Sequence, residues 1–288
     1  MERIAFQGEP GAYSEEAIHR AFGAVEACPH PAFRDVFEAV EAGSVDRGLV
    51  PIENAVFGSV RVNYDHLRTH AVTIVGELDL RIRHCLMAPA GASLEALDTV
   101  RSHGQALGQC RDWLRSHAPQ ATTEATPDTA GAARAVAEAG DPSVAAVASR
   151  QAAERYGLTV LAEGLEDSEQ NFTRFLLIAP EGAEEDGTAT PRTTSISFVL
   201  QENVPGALYK SLAVFALREL DLLKIESRPL VGRPGRYRFY LDVEGAAADE
   251  AVGKALDHLR EITSELQVLG SYAHRGTFGP ADGSAWGG

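Results

Sequence analysis

The sequence predicts an α/β domain followed by a small α+β unit of ferredoxin-like, βαββαβ order. Three observations carry this. Short apolar, β-prone runs alternate with helical patterns from residue 3 to residue 178, the mark of an α/β domain. The stretch 179–192 is rich in Gly, Glu, Thr and Pro without apolar periodicity and reads as a linker. Beyond it, residues 193–275 spell strand, helix, strand, strand, helix, strand.

Taken in order, residues 3–7 form a short strand that runs into Gly8-Glu9-Pro10-Gly11-Ala12-Tyr13-Ser14 and a helical pattern from Glu15 to Phe22. Strand, glycine loop and helix start together offer backbone N–H groups and a helix dipole to an anion. Ser14 suits both an N-cap and a ligand contact. The spacing is not G-x-G-x-x-G, and no P-loop lysine follows. Phe33, Val36, Phe37 and Val40 sit at helical spacing, with Gly43 as the stop. Next, Gly48-Leu49-Val50-Pro51-Ile52-Glu53-Asn54 is a strand ending in an acid and an amide before a Gly-Ser turn. That is the ligand crevice of an open sheet, or a plain loop with Asn54 bonding its own backbone.

A polar helix and the strand 72–75 follow, and then a longer strand from Leu78 to Ala88 that begins by alternating. Thr99 to Arg101 leads into Ser102-His103-Gly104-Gln105, and a helix carries Leu107, Cys110 and Leu114 inward. His103 reads first as a helix-entry residue. Residues 120–124 are extended, Asp128 and Thr129 start an alanine-rich helix, and 144–149 is a buried strand. The run Asn171-Phe172-Thr173-Arg174-Phe175-Leu176-Leu177-Ile178 places a hydroxyl and a guanidinium at the mouth of an apolar strand. Adjacent strand residues point to opposite faces, so the two heads need not share a site. In the C-terminal unit the expected helices are 206–219 and 247–263, the expected strands 195–200, 222–230, 237–243 and 266–272. The tail 276–288 is small and polar, expected to be flexible.

The net charge of -15 argues against a nucleic-acid partner. No run of eighteen apolar residues is present to cross a membrane. Cys28, Cys85 and Cys110 are far apart, odd in number and without C-x-x-C spacing, which is neither a disulfide framework nor a zinc site. With a start that lacks a signal-peptide pattern, this gives the expectation of a cytoplasmic protein.

At this point several motifs converge. Gly8…Gly11-Ala12-Tyr13-Ser14, Val50-Pro51-Ile52-Glu53-Asn54, Ser102-His103-x-Gln105, Gln109-Cys110 and Asn171-x-Thr173-Arg174-Phe175 stand in one order. Pro205-Gly206-Ala207-Leu208 and Lys224-Ile225-Glu226-Ser227-Arg228-Pro229 follow. In this the chain resembles prephenate dehydratases with a C-terminal regulatory ACT domain, from Arg3 to about His274. The resemblance implies a two-lobed α/β catalytic domain (1–178) like periplasmic binding proteins, with the site in its cleft. One lobe would be about 1–76 with 160–178, the other 77–159, and the ACT domain 193–275. Three departures stand out: Ala55 where the family has serine, Gly104 where it has proline, and Asp221-Leu222-Leu223 before the Lys-Ile-Glu-Ser-Arg-Pro run.

The implied reaction turns prephenate into phenylpyruvate with loss of carbon dioxide and water. Aromatisation drives it, so no cofactor or metal is required. Family correspondence puts Thr173 at the leaving hydroxyl, a donor within a relay because threonine is too weak an acid to act alone. Asn54, Ser102 and Gln109 correspond to catalytic polar contacts. Ser14, His103, Glu53, Arg174 and Phe175 complete the implied substrate set, Arg174 as a bidentate carboxylate partner. Gly206, Ala207, Leu208, Glu226, Ser227, Arg228 and Pro229 are the implied effector residues, holding phenylalanine between paired ACT domains of a homodimer or homotetramer. Arogenate dehydratase is the neighbouring reading. A non-catalytic amino-acid sensor would not need Asn54, Ser102, Gln109 and Thr173 together, and a secreted solute-binding protein would carry a signal peptide.

Overall fold

The computed structural model describes residues 1–183 and 193–279. In chain order a first unit runs β1 (Arg3–Gln7), α1 (Tyr13–Phe22), β2 (Glu26–His30), α2 (Phe33–Glu41), β3 (Arg47–Asn54), β4 (Gly58–Ser59), α3 (Arg61–Thr69) and β5 (Val72–Arg81). A second runs β6 (Cys85–Ala88), a 3-10 turn at Leu94–Ala96, β7 (Thr99–His103), α4 (Gly104–Gln109), α5 (Arg111–His117) and β8 (Thr122–Thr126). It continues through α6 (Thr129–Ala139), β9 (Val144–Ala148), α7 (Arg150–Tyr156) and β10 (Thr159–Glu163). After β11 (Phe172–Pro180) comes a third: β12 (Thr193–Leu200), α8 (Ala207–Ala216), β13 (Leu222–Pro229), β14 (Tyr237–Glu244), α9 (Glu250–Ile262) and β15 (Thr263–Tyr272). β16 (His274–Phe278) ends the described chain.

Three sheets result. The first is β16-β5-β11-β3-β1-β2 with β4 on β3, the second β10-β6-β9-β7-β8, and the third β13-β14-β12-β15. β11 is central to the first sheet, antiparallel to both β3 and β5, which is why its sequence is a near-continuous apolar run. Its faces still separate. Phe175 and Leu177 pack with Ile4, Phe6 and Ile18 under α1, while Leu176 and Ile178 pack with Val36, Phe37 and Tyr64 under α2 and α3. The third sheet lies on that second face, where Tyr240, Leu269 and Tyr272 join the same core. The approach is close enough to require glycine: a Cβ on Gly270 would meet the Ile74 carbonyl oxygen at 2.2 Å. The helices α8 and α9 cover the other face of the third sheet through Val214, Phe215, Leu256 and Leu259.

Strand pairing divides the chain differently from the expected lobes. β5 stays in the first sheet to Arg81, paired with β11 through Gly76, against which the Arg275 side chain lies. β10 (Thr159–Glu163), of which 160–163 are expected with the first lobe, pairs with β6 in the second sheet. The two crossovers between sheets are thus 82–84 and 164–171. The expected flexible tail is also corrected. His274, Thr277 and Phe278 pair in parallel with Glu77, Asp79 and Leu80, so Gly276 to Phe278 belong to a strand. Residues 280–288 lie outside the described chain, as do 184–192 of the expected linker, whose first residues Ala179 and Pro180 end β11. β2 was not expected. Pro29 is compatible with it because β2 is the edge of its sheet.

Candidate active site

The two crossovers and the ends of β3 and β11 bring together six polar side chains. Thr173 and Asn54 are register partners on β11 and β3, and Asn54 Nδ2 donates to Thr173 Oγ1 at 3.0 Å. The same nitrogen donates to Asn171 Oδ1 at 2.9 Å. From the second unit, Gln109 at the end of α4 donates through Nε2 to Asn171 Oδ1 at 3.2 Å. Gln109 Oε1 lies 2.6 Å from His84 Nε2, and His84 Nδ1 lies 2.7 Å from the Tyr13 hydroxyl. The chain Thr173–Asn54–Asn171–Gln109–His84–Tyr13 therefore crosses between the units at both crossovers.

The amide orientations follow from one end. Asn54 Oδ1 accepts the backbone N–H groups of Val56 at 3.0 Å and Phe57 at 3.1 Å, so its nitrogen must face Asn171 and Thr173. Asn171 then presents its oxygen, and Gln109 its nitrogen. Thr173 Oγ1 is thus an acceptor from Asn54, which polarises its O–H and leaves that hydrogen without a partner among the described residues. Asn171 is 0 % exposed, yet among the described residues its Nδ2 has no hydrogen-bond partner. An unpaired buried amide costs about 1–3 kcal/mol, and such groups are found where a ligand or water completes them. The unused polar hydrogens of this cluster, on Thr173, Asn171 and Gln109, are donors on neutral groups. A cradle of donors suits an anion that gains or shifts charge.

Burial holds the ionisable members of the cluster neutral. It pushes His84, 2 % exposed, down to a pKa of about 4, and it raises the Tyr13 hydroxyl well above its ordinary value. Cys85 is likewise raised to about 11 by burial, so it is no thiolate nucleophile.

Other expected residues lie elsewhere. Ser102 is buried behind α4 and spends its hydroxyl hydrogen on the Val147 carbonyl at 2.5 Å. His103 caps α4, accepting from Gln105 N at 3.3 Å. Ser14 is inside the first turn of α1; the N-cap is Ala12. The loop before it is no open anion nest. Gly8 N donates to the His30 carbonyl, and Gly11 N to Glu15. Ser149 and Tyr156, at either end of α7, bond the Gly11 and Pro10 carbonyls at 2.7 and 2.6 Å. The loop is a clasp between the units, and a Cβ on Gly11 would sit 2.9 Å from the Ala152 Cα.

Arg174, Glu53 and Phe175 are corrected as substrate ligands. Phe175 is core, on the α1 face. Arg174 points to the opposite face from Thr173, as strand alternation requires, and meets Glu77 at 2.7 Å and Asp242 of the third sheet at 2.9 Å. Glu53, its register partner, is ion-paired with Lys224 of β13. The effector set also divides. Glu226 accepts from Ser59 at 2.9 Å and Arg228 meets Asp65 at 2.6 Å, both on the first unit. Ser227 is paired with Phe239, on the face that carries the helices. Gly206, at a left-handed φ of 82°, precedes α8, with Ala207 and Leu208 in its first turn. Pro229 ends β13.

Residues 4–183 match the prephenate dehydratase family. The chain is 47% identical over 279 residues to an Arabidopsis thaliana protein, arogenate dehydratase/prephenate dehydratase 2, chloroplastic, covering 94% of this chain and 72% of that one. A solved prephenate dehydratase from Arthrobacter aurescens in complex with L-Phe superposes with a TM-score of 0.87 at 34% identity, covering 95% of this chain and 90% of that one. A quorum-quenching acylase, GqqA, superposes equally, with a TM-score of 0.87 at 32% identity over 95% and 98% of the two chains. These findings overturn the expectation of a cytoplasmic protein, since the Arabidopsis relative is a chloroplastic one.

Proposed function

Because the chain belongs to the prephenate dehydratase family, we propose that the cluster around Thr173 converts prephenate to phenylpyruvate. The observation that carries this is the set of unused donors on Thr173, Asn171 and Gln109, with Asn54 behind them. The substrate is a dianion. Its ring carboxylate leaves as carbon dioxide, and the electron pair of the broken C–C bond enters the ring. The C–O bond to the ring hydroxyl breaks, and that oxygen takes a proton and departs as water. Thr173 donates its hydrogen bond to this oxygen, while the Asn54 N–H stabilises the charge drawn onto Thr173 Oγ1. Asn171 and Gln109 offer N–H groups to a carboxylate or to the shifting charge. The net proton comes from solvent through this relay, because threonine itself is too weak an acid to lose one.

Arogenate is the second reading, favoured by the relative that carries both names. Acyl transfer has less support. Among the described residues no serine or cysteine is hydrogen-bonded to a histidine, the arrangement that activates an acyl-transfer nucleophile. We further propose that the third unit binds phenylalanine and pairs with a second copy along β13. That strand is an edge, and it leaves Leu223 and Ile225 51% and 47% exposed. The test is phenylpyruvate formation from prephenate, with arogenate as control, with and without phenylalanine. Prephenate turnover that falls with phenylalanine supports both parts; turnover unaffected by it sinks the effector site, and no turnover on either substrate sinks the dehydratase.

A further inference from the structure

One member of the cluster has no acid–base task in the reaction and lies behind the donors: His84. It sits in the first crossover with its backbone pinned to the second. Its N–H donates to Glu166 at 2.9 Å, and its carbonyl accepts from Gly164 N at 2.9 Å. Tyr13 meets the imidazole edge-on, with ring centroids 5.5 Å apart. We propose that His84 is a positioning residue for the dehydration, acting as a neutral Nε2–H tautomer that fixes the amide of Gln109 and so keeps the cradle free of acceptors. This role rests on the dehydratase reading.

The tautomer is decided by the whole chain of bonds. Tyr13 alone leaves it open, because its hydroxyl is 2.7 Å from His84 Nδ1 but also 3.1 Å from the Arg83 carbonyl. Were Nδ1 protonated, Nε2 would be an acceptor facing Gln109 Oε1, another acceptor, at 2.6 Å. Turning Gln109 over would relieve that contact and create a worse one, carbonyl against carbonyl at Asn171 Oδ1. Turning Asn171 over as well would set two amide nitrogens against each other at Asn54. Asn54 cannot turn, since Val56 and Phe57 hold its oxygen with two backbone N–H groups. The chain is consistent in one sense only: Nε2–H donates to Gln109 Oε1, and Nδ1 accepts from Tyr13.

The chemistry gains from that sense. With His84 in place, Gln109 shows an N–H to the cleft. Without it, only the 3.2 Å bond to Asn171 Oδ1 opposes a turn of the amide that would show a carbonyl to a dianion. Because the bonds join both units at both crossovers, the donor arrangement depends on how the two units are spaced.

The test uses the full chain labelled with 15N-histidine, the His84 signals among nine histidines being assigned by their loss in His84→Gln. The expected spectrum shows His84 as the Nε2–H tautomer. His84→Leu is expected to lower kcat/KM by about tenfold or more, the loss of an orienting donor. His84→Gln, whose amide N–H replaces Nε2–H, is expected to restore it to within about threefold. An Nδ1–H tautomer, or a folded His84→Leu with unaltered turnover, would overturn the proposal. If His84→Leu fails to fold, the wild-type tautomer and the His84→Gln turnover decide. Lack of turnover in the unaltered chain on prephenate and arogenate counts against the dehydratase reading and this role together.

Discussion

Asn54 Nδ2 lies 3.0 Å from Thr173 Oγ1 across one register pair of β3 and β11, and the next pair, Glu53 and Arg174, faces the other way. A single step along two strands separates the face of the polar cluster from the face that carries the third sheet. The chemistry and the docking can therefore be altered one residue at a time.

Thr173→Ala removes the polarised hydroxyl and is expected to lower kcat by about 10²–10⁴, the span of a lost general-acid contribution. Thr173→Ser keeps both the hydroxyl and the Asn54 contact and should retain most activity. Steady-state kinetics beside a thermal melt checks both, because the melt of Thr173→Ala should stay near that of wild type. Turnover near wild type in folded Thr173→Ala would remove Thr173 from the mechanism.

Arg174→Met should do the reverse and act mainly on stability. It strands Glu77 and Asp242 without their shared cation, a loss on the order of 3 kcal/mol for a largely buried pair. Burial already raises the Glu77 carboxyl, and Arg174 restrains that rise. Without Arg174 the folded-state pKa climbs further, so the folded state binds the extra proton. The variant's deficit should then be smallest in mild acid and grow as pH rises through the folded Glu77 pKa. Urea unfolding at several pH values reads this directly, and a deficit that is flat with pH would count against it.

His274 gives the opposite window of stability to the C-terminal strand. Its hydrogen bond to Asp79 at 3.0 Å raises its pKa above the ordinary 6.5, chiefly through that bond. The contribution is fully present below the unfolded pKa and is lost as pH rises through the folded one. Wild type should exceed Asp79→Asn in thermal stability at pH ~5.5, and the gap should narrow toward pH ~8.5 as the folded His274 loses its proton. An equal gap at both pH values would show that the pair acts without charge.

Much of this was legible in the sequence because it is local. The opposed faces of Thr173 and Arg174 follow from strand alternation alone, and the βαββαβ order from short periodic runs. The polar ends of β3 and β11 at the mouth of an apolar run are legible too, but on their own they fit a plain loop and an ordinary strand, and the site roles of Asn54 and Thr173 rest on the family resemblance. His84 and the role of Asn171 were not legible. His84 interrupts what reads as one strand from Leu78 to Ala88, and its partners Tyr13 and Gln109 are 71 and 25 residues away. A lone histidine in a break between two apolar runs was the available signal. Arg174 and Glu53 were read toward the substrate because the sequence does not show that Asp242 and Lys224 fold back onto that face. β16 escaped for the same reason: its five residues show no apolar alternation, and its partner strand lies nearly 200 residues earlier.

β16 also sets an order of events. The ribosome releases β1 to β5 and β11 well before it releases Phe278, yet β5 has a free edge until His274–Phe278 pairs with it. A nascent chain therefore carries an unsealed edge of its first sheet until His274–Phe278 emerges, an edge of the kind that pairs with other chains. The third unit lies between β11 and β16 along the chain, so it is synthesised before the first sheet can be sealed.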